Sequence, residues 1–140
     1  MSIVRYTDSE RDLLARIMRA EAIGEGNLGM LMVGNVVVNR VIADCYNFNV
    51  VNSINDAIYQ ANQFSGVNSS LFYSSPTTKE KSLADRIIRG EYFHPADNAL
   101  WFYATKDNNC QSTWYNQMYT GKFKSHCFYK AIQDTCRQLH

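Results

Sequence analysis

An α+β domain, helices first and a small strand-rich part last, is predicted by three features of the sequence. "TDSE" at 7–10 is a capping box in front of Leu13, Leu14, Ile17 and Met18, which recur at helical spacing. The apolar run "MLMVGNVVV" lies in a segment too long and too free of turn residues for a strand. From residue 99 onward the pattern shortens to aromatic runs, "ALWFYA" and "KFKSHCFYK".

The first helix starts behind Thr7 as N-cap with Glu10 at N3, and Gly24 and Gly26 stop it, so Glu21 falls in its last turn. The second, over residues 28–44, has the all-round apolar character of a buried helix. The third, over 53–60, gathers Ile54, Ala57, Ile58 and Ala61 on one face. Residues 62–76, "NQFSGVNSSLFYSSP", are polar, small and aromatic and read as a loop. A fourth helix carries Pro76 at an early position and the stripe Leu83, Ala84, Ile87, Ile88, closed by Gly90. "ALWFYA" at 99–104 reads as a buried strand. "YTGKF" at 119–123 reads as a turn, with Gly121 supplying a positive φ and a strand following it. The tail, 130–140, is expected to be a short helix.

With 140 residues the chain makes one domain, 1–140, without repeats or linkers. Its formal charge of +1, with 14 basic and 13 acidic residues, offers no basic patch, so nucleic acid is not an expected partner. No apolar run approaches the length of a membrane span, and "MSIVRYTDSE" has no signal-peptide apolar region. Cys45, Cys110, Cys127 and Cys136 lack C-x-x-C spacing, and without a secretory signal they are expected as free thiols. The 13% aromatic content suits a buried core or the faces of sugar rings.

Glu21 and Glu25, in "MRAEAIGEGN", are the candidate chemical pair. At a helix C-terminus the unpaired carbonyls raise the pKa of a carboxylic acid, and burial against Met18 acts in the same direction. Glu25 lies just ahead of the next helix, where the dipole favours the ionised form. Such divergent surroundings suit an acid and a supporting carboxylate, though a solvated pair at a helix junction has the same spacing. Asn35 and Asn39 share one face of the second helix beside Arg40, either bonding a neighbouring loop or lining a cleft. Gln63 and Ser65 can hydrogen-bond a polar ligand while Phe64 anchors their loop, and Tyr103 or Trp101 can face outward from "LWFYA". His94, His126 and His140 match no metal-ligand spacing, so neither a metal nor a cofactor is expected. Cys127 beside His126 is a poor nucleophile–base pair because strand neighbours face opposite ways.

Read in order, "AEAIGEG", "GNVVVNRV", "QFS" and "NALWFYA" resemble the SleB/CwlJ family of spore-cortex-lytic cell-wall hydrolases over residues 8–130. With no peptidoglycan-binding repeat visible, the chain is expected nearest the CwlJ branch. The resemblance implies a lysozyme-like, mainly helical domain of the lytic-transglycosylase type, with a small β part. It assigns the catalytic acid to Glu21 and substrate-binding or supporting places to Glu25, Asn35, Asn39, Gln63, Phe64 and Ser65, and the outward-facing reading of Tyr103 adds that residue to the candidates. It also implies that the substrate is the cortex glycan, cleaved during germination between N-acetylmuramic acid and N-acetylglucosamine. The implied location is the boundary of spore coat and cortex, reached from the mother cell, with a coat protein as partner. Late oxidation of that compartment would allow disulfides.

A paired-carboxylate glycosidase needs a second acid, and only Glu25, Asp44 and Asp56 offer themselves. A lone Glu21 therefore points to lytic transglycosylase chemistry. The alternatives are an N-acetylmuramoyl-L-alanine amidase, poorly served by scattered histidines, and a non-catalytic glycan-binding or coat module.

Overall fold

The computed structural model describes residues 2–43, 45–60, 64–132, 136 and 139, and it has the predicted order of helices before strands. Helices α1 (Asp8–Ala22), α2 (Gly26–Ile42), α3 (Ile54–Tyr59), α4 (Ser70–Tyr73) and α5 (Thr78–Ile88) precede strands β1 (Trp101–Ala104), β2 (Thr113–Trp114), β3 (Gln117–Phe123) and β4 (His126–Lys130). The strands form one antiparallel sheet in the order β1-β4-β3-β2.

Local chemistry sets the helix starts. Thr7 caps α1 through the expected box with Glu10, and Ser53 caps α3 by accepting from the Asp56 amide at 3.0 Å. The box that opens α5 is Thr77 with Glu80, so Pro76 precedes the helix instead of sitting in its first turn. Residues 64–76 are more ordered in form than a loop: a 3-10 turn at Ser65–Asn68 leads into α4. Arg19 of α1 explains how that segment is held. Its guanidinium donates to the carbonyls of Leu71, Ser74 and Ser75 and to the Glu80 carboxylate at 2.9 Å. Partners on all sides satisfy a charge that would be costly to bury alone.

The central element is α2, buried around nearly its whole circumference. One side packs with α1, α3 and α5 through Leu14, Ile17, Met18, Val33, Val37, Ile54 and Ile87. The other side joins Met32 and Val36 to Ala96, Ala99 and Phe128, beneath the sheet. Two polar residues within that apolar helix fasten the chain entering the sheet. Asn35 donates to the Glu91 carbonyl at 2.8 Å and accepts from the Phe93 amide at 2.9 Å. Asn39 donates to the carbonyls of Ala96, Asp97 and Ala99. Both are buried and bond the 91–99 loop, so neither lines a cleft.

Two expectations are corrected. Gly121 lies inside β3, at a register shift between Tyr119 and Gly121, and the reversal falls at Lys124–Ser125, with Lys124 at φ 50°. Gly121 has φ 152°, and a Cβ there would stand 2.7 Å from Pro95 Cβ, so a close approach rather than a turn requires the glycine. The cysteines are paired rather than free: Cys45–Cys136 and Cys110–Cys127, with Cα separations of 5.2 and 5.7 Å. Long-range packing brings each pair within disulfide reach, a fact that compartment reasoning cannot supply. The expected positions of Ala61, Asp44 and His140, and most of the predicted C-terminal helix, lie outside the described residues.

Replacing Asn39 by Ala strips the donor from two buried carbonyls and a part-buried one, and we expect a loss of about 2–3 kcal/mol in urea-melt stability. A change within 0.5 kcal/mol would refute its role as fastener of the 96–99 segment.

Candidate active site

The last turn of α1 presents Glu21 to a cleft of about 410 Å³ lined also by Ala20, Ser65, Phe102, Tyr103, Ala104 and His126. Helix, 3-10 turn and sheet thus meet at one carboxylic acid. Phe64, buried, sets the height of the 3-10 turn: its ring packs on Phe102 at 6.1 Å and beneath the Arg40 guanidinium at 4.6 Å. The following residues then close on Glu21, whose carboxylate accepts from the Gly66 amide and from the Ser65 side chain.

Burial raises the Glu21 pKa above its ordinary value of 4.5. The Gly66 and Ser65 bonds and the positive charge of Arg40 act against that rise without cancelling it. Of the two causes expected from the sequence, burial is the leading one. Arg40 is itself buried, with its Cζ over the rings of Phe48 and Phe64, and its Nε donates to the Leu100 carbonyl at 2.7 Å. Burial lowers the guanidinium pKa to about 9 while the Glu21 charge opposes the fall, so the group is cationic at neutral pH.

Glu25 has a different task. It occupies the N-cap position of α2 but makes no cap bond. Its carboxylate turns to the β3–β4 reversal, accepting from the Ser125 amide at 2.9 Å and the Ser125 hydroxyl at 2.5 Å. It also stands 3.5 Å from Nδ1 of His126. The register sets His126 opposite Ala104 on the sheet face that carries Phe102, with the imidazole edge-on to the Phe102 ring at 5.2 Å. Burial pushes the His126 pKa down while Glu25 pushes it up.

Glu21, Ser65 and Tyr103 are therefore brought together, and Glu25 supports the far wall through Ser125 and His126. Asn35 and Asn39 stand away from the cleft, and Gln63 lies outside the described residues. Sequence reasoning weighed His126 only as a metal ligand or a nucleophile's base, and gave Ser125 and the charge of Arg40 no place in the site. A histidine in the expected strand, followed closely by Phe128 and Tyr129, was the available signal for the first. The others depend on contacts that only the folded chain makes: Ser125 bonds Glu25 a hundred positions away, and Arg40 bonds the Leu100 carbonyl sixty positions away. Asp56 bonds the Asn52 amide at 3.1 Å and contributes nothing to the lining. Among the described residues Glu21 is the one carboxylic acid that lines the cleft, and no three of His, Cys, Asp and Glu gather as a metal-holding group.

Two outcomes check this geometry. A native pKa above the unfolded value means that stability is lost as pH rises from about 4.5 through the raised value. Glu21→Gln, which does not titrate, should therefore melt higher than the parent at neutral pH, with the gap closing by pH 4; an equal or lower Tm at neutral pH contradicts the burial argument. In Gly66→Ala the new Cβ would lie 2.5 Å from Glu21 Oε2 and 3.0 Å from Ile17 Cδ1. We expect folding to be retained by circular dichroism while the Glu21 carboxylate is pushed off the Gly66 amide, read as a changed Glu21 titration midpoint; an unchanged midpoint contradicts the contact.

A family profile described as Cell Wall Hydrolase matches residues 24–129. The chain is similar to cell wall hydrolase CwlJ of Bacillus subtilis, at 43% identity over 140 residues, covering all of this chain and 98% of that protein. It is 26% identical to a spore cortex-lytic enzyme of Bacillus cereus over 98 residues, covering 70% of this chain and 36% of the relative. In three dimensions it resembles the crystallised catalytic domain of the Bacillus cereus SleB protein, with a TM-score of 0.70 and 26% identity, over 90% of this chain and 93% of that one. The fold is the expected α+β, lysozyme-like arrangement. By profile and by full-length similarity, the chain belongs to the Cell Wall Hydrolase family.

Proposed function

We propose that this chain degrades the peptidoglycan of the spore cortex during germination, cleaving the glycan strand with Glu21 as its acid. The observation that carries the reading is that, among the described residues, one half-buried carboxylic acid with a raised pKa lines an open cleft. The cortex as substrate is taken from the relatives, two of which are named as a cell wall hydrolase and a spore cortex-lytic enzyme.

Protonated Glu21 gives its proton to the oxygen between N-acetylmuramic acid and N-acetylglucosamine, and the muramic C1–O bond breaks. A paired-carboxylate mechanism would set a second acid about 5–9.5 Å away to act on C1 or on a water. With Glu25 engaged by Ser125, the substrate's own 6-hydroxyl serves instead. Ionised Glu21 takes the hydroxyl proton, the oxygen bonds to C1, and the product is a 1,6-anhydromuramic end. One group thus acts as acid and then as base. Ser65 and the Gly66 amide hold the ionised form between the two steps.

Glu21→Gln should lower cortex cleavage by at least about 100-fold, the scale of general acid catalysis. Mass spectrometry of the digest should find 1,6-anhydromuramic ends; free reducing ends in their place would remove the transglycosylase step, and wild-type clearing by the variant would remove Glu21. Since the acid must start protonated, kcat should fall as pH rises through the raised Glu21 value.

A further inference from the structure

The outer face of the sheet carries an aromatic cluster that the chemistry at Glu21 does not use. One ring comes from each strand: Tyr103 of β1, Trp114 of β2, Tyr119 of β3 and Tyr129 of β4. Tyr103 meets Trp114 at 4.9 Å and stacks on Tyr129 at 5.7 Å, and Tyr119 lies 5.7 Å from Tyr129. Tyr129 is buried beneath the others, which accounts for part of the cluster as ordinary packing. The hairpin tip is not accounted for in that way. Tyr115 extends the cluster, 5.4 Å from Trp114, and is 80% exposed.

The backbone at the tip supplies an independent observation. Tyr115 and Asn116 form a two-residue reversal with φ 52° and 67°. Positive φ at both central positions is the pattern of a type I′ turn, which favours Asn or Gly at the first position; a bulky aromatic there is strained. The fold thus holds a large, exposed ring at a site where a smaller residue would be more stable. Strain kept at an exposed aromatic points to a binding task. The place is suitable as well: Tyr103, which borders the Glu21 cleft, touches Trp114, and Trp114 touches Tyr115.

We infer that Trp114 and Tyr115, continued by Tyr103, form a stacking surface that holds sugar rings of the peptidoglycan strand outside the cleft. The inference rests on the glycan reading of that cleft. Rigid amphipathic rings cover the apolar faces of pyranoses at small entropic cost, and their exposed edges leave the sugar hydroxyls in water.

The test uses the full chain carrying Glu21→Gln, sedimented with purified insoluble peptidoglycan. Adding Tyr115→Asn should weaken binding roughly three- to tenfold, as expected for one stacked ring, while raising Tm through relief of the turn. Tyr115→Phe should keep the binding, and glycan strands freed of stem peptides should compete with it. Unchanged binding in Tyr115→Asn overturns the surface while leaving the Glu21 reading intact. Failure of the Glu21→Gln chain itself to sediment overturns the glycan reading and the surface together. A Tyr115-dependent dimer with unchanged glycan binding would assign the tip to self-association and overturn the proposal.

Discussion

Arg40 carries a positive charge into the middle of the molecule, and the geometry around Glu21 depends on how that charge is held. A guanidinium buried without partners would be severely destabilising. Here its Cζ lies over the Phe48 and Phe64 rings at 5.1 and 4.6 Å, its Nε bonds the Leu100 carbonyl, and Glu21 supplies opposite charge. Each partner fixes a different part of the site: Phe64 the 3-10 turn, Leu100 the start of β1, and Glu21 the acid. Asn39, one residue earlier on α2, secures the segment just before Leu100 in the same manner. Positioning therefore arises from polar residues in a largely apolar, buried helix.

This arrangement sets a balance at Glu21. Burial favours the protonated acid, while Arg40, Ser65 and the Gly66 amide favour the carboxylate. With burial dominant but opposed, the group can hold a proton before reaction and tolerate its loss afterwards. In the proposed mechanism both states are needed in each turnover. A site with burial alone would make the ionised state costly, and one with the partners alone would leave no proton to give.

What was legible in the sequence was mostly local. Thr7 and Glu10 are three residues apart, so their box could be read directly, and the periodicity of α1, α3 and α5 required only neighbouring positions. The apolar composition of α2 revealed a central helix, though not which loop Asn35 and Asn39 would bind, because their partners lie more than fifty positions away. Gly121 had the sequence signature of a turn but serves a close approach to Pro95. The sulfur pairings and the bond from Ser125 to Glu25 required the completed fold. The helix end alone left Glu21 one of two readings, and the family resemblance of its motif made it the favoured candidate; of its neighbours in the structure, Phe64 and Ser65 were named as candidates, while Arg40 was read only as a polar residue of the second helix.

The protonation state of one side chain underlies all of this. The direct measurement is a pH titration of the Glu21 carboxyl carbon by NMR in isotopically labelled protein, with Glu21→Gln used to assign the signal. The account predicts a midpoint clearly above 4.5, falling toward that value when the fold is disrupted by denaturant. A midpoint at or below 4.5 in the folded protein would contradict it.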